Sequence, residues 1–244
     1  MRYCYIIIAQ ILLLLSACDD GDINEEKADY VTDGYTVKLT GNIVGLDSWS
    51  AGYKLSLAAF TNKSDYTAIS KTVRPDTTQN GKVEVVLNNV GTSYSTVELC
   101  FTNRINLRLV SLKTVDLTAT ATQDDTIRID VGTLDVGMFP VLETYVFNNE
   151  CARCHGGNGN AAGNLFLVKG KAYANLVGAS HEGIASTILP DNKRVVPGDA
   201  AHSVLHNALA GDNPNLVLPL NHETMLSSNV VTMIDSWINN GAKE

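Results

Sequence analysis

Apolar and polar residues alternate in seven short runs through the first half of the chain. A period of two residues is typical of β-strands that bury one face. The apolar members of the runs are Tyr35, Val37 and Leu39; Tyr53, Leu55, Leu57 and Ala59; Ile69 and Val73; Val83, Val85 and Leu87; Val97, Leu99 and Phe101; Leu107 and Leu109; and Ile127, Ile129 and Val131. Seven short antiparallel-type strands over residues 34–136 favour an all-β sandwich of immunoglobulin-like architecture.

The fifth run interleaves its apolar residues with Glu98, Cys100 and Thr102. Side chains of neighbouring strand residues point to opposite faces, so these three are predicted to lie on the outer face. The Cys100 thiol is therefore expected to be partly exposed. We expect a bystander thiol there rather than a reactive one, since no adjacent basic residue would activate it.

Beyond this region the apolar positions recur at helical spacing instead. The pattern predicts helices that begin at Pro140, after a capping Asp199 and after a capping Ser227. Gly211 and Gly241 are predicted to end the second and third of these helices. The second half of the chain, residues 137–244, is thus predicted to be all-α.

The sequence Cys151-Ala152-Arg153-Cys154-His155 is a C-x-x-C-H motif, the attachment motif of c-type haem. Two thiols one helical turn apart can reach two vinyl groups on one porphyrin edge, and the next residue directs an imidazole at the iron. A redox-active C-x-x-C would need a thioredoxin-like βαβ context, and a zinc site would need a second ligand pair. The motif therefore predicts one covalent haem c, bound by Cys151 and Cys154, with His155 on the iron.

From about residue 141 to residue 242 the chain resembles a class I c-type cytochrome domain. The haem motif, the turn Val195-Val196-Pro197-Gly198-Asp199 and the closing Trp237-Ile238-Asn239-Asn240-Gly241-Ala242 carry this resemblance. It implies that the first and last helices cross beside the haem, which would place Phe147 and Trp237 near it.

The sixth iron ligand departs from the family's pattern. Class I domains usually supply a methionine from a loop shortly before the last helix, and Leu218-Pro219 occupies that place here. Leucine cannot bind iron. Met225 is the predicted sixth ligand, His222 is the runner-up, and an open or water-bound iron is the third alternative.

The first residues are predicted to direct export. Arg2 precedes an apolar run that is too short to span a bilayer. Leu15-Ser16-Ala17-Cys18 resembles the lipobox of bacterial lipoproteins. Residues 1–17 are then a signal peptide, Cys18 is the lipidated residue, and 18–33 form an acidic linker; a plain secretory signal is the alternative. Lipidation would anchor the protein to the bacterial cell envelope, in the outer membrane, facing the periplasm or the surface.

A formal net charge of −8 disfavours nucleic acid as a partner and favours redox proteins with basic docking surfaces. Together these features predict a membrane-anchored monohaem c-type cytochrome, an electron carrier rather than an enzyme, with 34–136 as the sandwich and 137–244 as the cytochrome c domain. Two alternatives are a haem-based small-ligand binder or sensor with an open sixth position, and a surface binding module with an accessory haem domain.

Overall fold

A computed structural model of the chain describes residues 34–119, 126–157, 159–211, 216 and 222–244. The predicted signal peptide, the lipidation site Cys18, the acidic linker and Leu218-Pro219 lie outside the described residues. The described residues form one compact unit.

Each of the seven alternating runs overlaps one strand of the structure. The strands are β1 (Tyr35–Val44), β2 (Lys54–Phe60), β3 (Ile69–Thr72), β4 (Lys82–Val90), β5 (Thr96–Thr102), β6 (Arg108–Asp116) and β7 (Thr126–Asp135). They form a three-stranded sheet in the order β4-β1-β7 and a four-stranded sheet in the order β3-β2-β5-β6. The inward residues of both sheets, among them Leu39, Leu57 and Leu99, share one apolar core.

One strand pair differs from the antiparallel expectation, because β1 pairs with β7 in parallel. A parallel pair needs a long connection, and the other five strands of the two sheets separate β1 from β7 along the chain. The remaining pairs are antiparallel. Before β4 the chain turns at Asn80-Gly81, where Gly81 has φ 74°. A Cβ at this glycine would collide with the carbonyl oxygen of Ile43, so the turn requires glycine.

Cys100 is completely buried, at 0% exposure, and the expectation of partial exposure was wrong. Cys100 packs with Ala58 and Phe60 in a small buried cluster, and Arg108 from β6 lies over the ring of Phe60, with its guanidinium carbon 4.7 Å from the ring centroid. The same guanidinium forms ion pairs with Glu98 and Asp65. Burial raises the pKa of the Cys100 thiol to about 12, with a smaller contribution from Glu98, so the thiol is shielded and protonated.

The helical segments of the second half are short. They are α1 (Met138–Val141), a π-helix (Leu142–Cys151), α2 (Ala152–His155), a 3₁₀-helix (Ala162–Asn164), α3 (Ala172–Leu176), α4 (Val204–Ala210) and α5 (Ser228–Asn239). Their apolar residues, such as Phe139 and Trp237, belong to the same core as the sheets.

The helix boundaries agree with the predicted caps in part. Ser227 caps α5 by accepting a hydrogen bond from the backbone N–H of Val230, and Gly211 ends α4 with φ 69°. However, α4 begins after Ser203 rather than after Asp199, because the Asp199 carboxylate accepts from the N–H of His202 within a separate turn. Pro140 lies inside α1, two residues after its start, rather than at the first position.

The predicted fold class, a β-sandwich followed by an all-α cytochrome c domain, is wrong. Among the described residues, 32% are in strands or bridges and 26% are in helices, so strand exceeds helix. Between α3 and α4 the described chain forms turns and two isolated bridges, Ala185–Lys193 and Val196–Asp199. Glycine and proline at Gly178, Gly183, Pro190, Pro197 and Gly198 account for this irregular backbone, because they interrupt helices.

Candidate functional site

The C-x-x-C-H motif lies at the C-terminal end of the continuous helical segment formed by α1, the π-helix and α2. Cys151 is the last residue of the π-helix, and Cys154 and His155 are in α2. The N–H of Ala152 donates to the carbonyl of Phe147, five residues earlier, which is the wider π-type bond. Because Cys151 and Cys154 are three residues apart on a helical backbone, their side chains lie on one side of it.

The two motif cysteines differ in their surroundings. Cys151 is half-buried, whereas Cys154 is exposed. Burial, with a contribution from the Glu150 carboxylate, raises the pKa of the Cys151 thiol to about 11. A catalytic dithiol needs the opposite shift, because the thiolate is its nucleophile. The electrostatics of Cys151 therefore do not favour a redox-active dithiol.

His155 is held in one orientation by the loop that follows the motif. Its Nδ1 lies 2.9 Å from the carbonyl oxygen of Ala162, to which the ring nitrogen donates. This hydrogen bond sets the tautomer in which Nε2 carries the lone pair, as in metal-binding histidines. Burial lowers the pKa of His155, and the hydrogen bond to Ala162 partly opposes this shift. The neutral imidazole that a metal requires is thus favoured.

The loop around Ala162 is itself fixed by Arg194, a residue that the sequence analysis did not single out. Arg194 is only 8% exposed. Its guanidinium donates to the carbonyl of Asn164 at 3.1 Å, to that of Gly163 at 3.4 Å and to that of Asn175 at 2.9 Å. Thr187 donates a further bond to the Gly163 carbonyl at 2.7 Å. No local pattern in the sequence marks Arg194, because its partners are backbone groups from distant loops.

The two candidates for the sixth ligand lie in the turn before α5. The ring of His222 lies near that of His155, with centroids 6.2 Å apart and planes inclined by 44°. Met225 follows in the same turn, where its N–H donates to the carbonyl of His222 at 3.1 Å. The side chain of His222 is half-buried, while that of Met225 is 44% exposed.

Phe147 and Trp237, which the resemblance places near the haem, contact each other in the core. Their ring centroids are 6.4 Å apart in an edge-to-face arrangement. Phe147 lies in the π-helix just before Cys151, and the indole N–H of Trp237 donates to the carbonyl of Lys243 at 2.7 Å. Both rings belong to the apolar core against which Cys151 packs.

A separate cavity of about 520 Å³ lies where the Leu46–Ser48 turn meets α1 and α5. Trp49, Met138 and Trp237 contribute to its lining, and the cysteines and histidine of the motif do not. The cavity therefore does not include the motif, although it shares Trp237 with the core beside the motif.

No family model, curated protein or solved structure matches the chain. Within the described residues, no group of three or more His, Cys, Asp or Glu side chains is placed to hold a metal ion. In that same part of the chain, no helix combines the length and the apolar character needed to cross a membrane.

Proposed function

We propose that this chain is a monohaem c-type cytochrome, with haem bound covalently through Cys151 and Cys154 and with His155 on the iron, and that it transfers single electrons outside the cytoplasm. The observation that carries the proposal is the 2.9 Å hydrogen bond from His155 Nδ1 to the Ala162 carbonyl. It prepares Nε2 as a metal ligand in the residue that follows the two cysteines.

The donor set fits a haem better than it fits the other uses of two cysteines. Two sulfurs lie on one side of a helical turn, and an oriented neutral imidazole comes next. The raised pKa of Cys151 argues against a dithiol nucleophile. When bound, a haem supplies a reversible one-electron couple at its iron.

The protein's own residues orient the ligand and exclude water. Arg194 and Thr187 hold the carbonyl groups of the loop that includes Ala162, so the His155 ring has little freedom to turn. Phe147 and Trp237 exclude water on the core side. Fixed ligands and a dry environment keep rearrangement small during electron transfer, and the exposed Cys154 side is where a partner can approach.

Location and partners belong to the same proposal. Lipidation at Cys18 would anchor the protein to the bacterial envelope, with the acidic linker between the membrane and the folded unit. The net charge of −8 favours redox partners with basic docking surfaces, and association should slow as salt is added.

Expression in a host that assembles c-type cytochromes tests the attachment. We expect the mass of the mature protein to increase by one haem and a Soret band to appear, with a reversible one-electron titration. The Cys151→Ala/Cys154→Ala variant should lose the added mass. Cys100→Ala, which removes a buried thiol outside the motif, should keep it. An unchanged wild-type mass without a Soret band would overturn the proposal.

A further inference from the structure

We infer that His222 would hold the haem iron together with His155, so that two histidines would bind the metal. This inference rests on the proposed function, because it concerns the ligand set of the same haem.

The separation of the two imidazoles suits a metal between them. A metal–imidazole bond is about 2.0 Å long and the ring nitrogen lies about 1 Å from the ring centroid, so two rings on opposite sides of one metal have centroids roughly 6 Å apart. The rings of His155 and His222 are 6.2 Å apart. The Nδ1 bond of His155 to Ala162 leaves its Nε2 for the metal.

Position, rather than the lack of another partner, distinguishes His222 from the other histidines of the chain. His181 Nδ1 lies 2.7 Å from the hydroxyl of Tyr173, His202 Nδ1 lies 2.7 Å from Asp199, and His206 Nδ1 lies 2.8 Å from Asp235. Of the five histidines, His222 is the one whose ring pairs with that of His155.

The two nearby methionines, Met225 and Met233, are less suitable than His222 as ligands of the haem iron. The side chain of Met225 is 44% exposed, although a thioether on iron must be enclosed with it. Met233 lies in α5 and is fully buried in the apolar core. His222, by contrast, is half-buried, and it is placed by a turn that leads directly into the Ser227 cap of α5.

Two histidines would give this haem properties that a His–Met pair does not. A thioether ligand raises the reduction potential, so its replacement by imidazole predicts a lower potential. Both oxidation states should be six-coordinate and low-spin, and reduced iron should react slowly with CO.

Spectroscopy of the holoprotein tests the ligand directly. We expect the oxidised wild type to be low-spin without the near-infrared Met-to-iron charge-transfer band. His222→Ala should keep the covalent haem by mass, lose the low-spin spectrum and bind CO rapidly. His222→Met should restore low-spin iron, with the charge-transfer band and a higher midpoint potential. Met225→Ala and the exposed control His202→Ala should leave the wild-type spectrum unchanged.

Two results would overturn the inference while the proposed function stands. One is a wild-type charge-transfer band that disappears in Met225→Ala, and the other is a low-spin His222→Ala holoprotein. If His222→Ala does not fold, electron paramagnetic resonance of the wild type and the band gained by His222→Met still decide the ligand. If the wild-type protein carries no haem, the inference and the proposed function both fail.

Discussion

The hydroxyl of Tyr53, just before β2, lies 2.8 Å from the hydroxyl of Ser236 on α5, 183 residues further along the chain. Nearby, Trp49 stacks on Phe101 of β5 with ring centroids 3.7 Å apart, and its indole N–H donates to the carbonyl of Val136 at 2.6 Å. The last helix and the four-stranded sheet are thus joined by polar contacts as well as by the shared core.

Removal of the Tyr53–Ser236 hydrogen bond should weaken the packing of α5 against the four-stranded sheet and so destabilise the whole folded unit. We expect Tyr53→Phe and Ser236→Ala each to lower the free energy of unfolding by about 1 kcal/mol, and the double variant to lose less than the sum of the two. Denaturant titration followed by tryptophan fluorescence and by circular dichroism measures this. Tyr66→Phe, at an exposed tyrosine, is the control and should change little. Fully additive losses would show that the two hydroxyls do not interact.

Breaking the Arg108–Glu98 pair should cost far more stability than breaking an exposed ion pair. Glu98 is 2% exposed, and its Oε2 is buried without a hydrogen-bond partner among the described residues. We expect Arg108→Ala to cost about 3–5 kcal/mol, because it leaves a buried carboxylate unpaired. Thermal or chemical unfolding measures the loss.

A matched control and a rescue variant accompany this change. Lys38 and Glu84 form an ion pair of 2.7 Å with exposed groups, so Lys38→Ala should cost at most about 1 kcal/mol. Adding Glu98→Gln to Arg108→Ala should recover part of the loss, since the unpaired charge is removed. Equal effects for the two basic residues would contradict the prediction.

Arg194 should stabilise the loop that orients His155. We expect Arg194→Ala to lower the free energy of unfolding by about 3 kcal/mol, because buried carbonyl groups lose a charged donor. Arg153 offers a nearby control, since its side chain is 69% exposed and pairs with Glu150 at 3.0 Å. Arg153→Ala should cost less than about 0.5 kcal/mol. If the two variants lost similar amounts of unfolding free energy, the proposal that Arg194 stabilises the loop around Ala162 would be contradicted.

The three cysteines of the folded unit should react with an alkylating reagent in a fixed order when the protein is made without haem. Cys154 should react first because it is exposed, and Cys151 should follow slowly. Since the pKa of Cys151 is raised to about 11, its rate should keep rising as the pH is taken well above 9. Cys100, with a pKa raised to about 12 and no exposure, should react only after unfolding.

Mass spectrometry of peptides after timed labelling measures the order. Labelling in denaturant gives the control in which burial no longer separates the three thiols. Rapid labelling of Cys151 at pH 7 in the folded protein would indicate an activated thiolate and would favour a redox dithiol over haem attachment.

Local patterns allowed several features to be predicted from the sequence. The alternating runs predicted seven strands because a strand exposes its side chains to two faces in turn. The Ser227 cap and the Gly211 stop were predictable because capping involves residues within one helical turn. The C-x-x-C-H motif predicts its chemistry for the same reason, since its three functional residues lie within five positions.

Contacts between distant residues were not predictable in this way. The parallel β1–β7 pair, the packing of Cys100 against Phe60, and the bonds of Arg194 to three carbonyl groups all join residues from different elements. The all-α expectation failed because a few helical caps and spacings were extended to a region in which glycine and proline interrupt the helices.

The sequence by itself determined which residues are predicted to carry the proposed chemistry, Cys151, Cys154 and His155, since their spacing is local. Only the tertiary structure decided how the His155 ring is oriented, through Ala162, and which second imidazole lies near it, that of His222. The sequence could not reveal these two relationships, because the packing of loops and helices sets the distance between residues that are far apart in the chain.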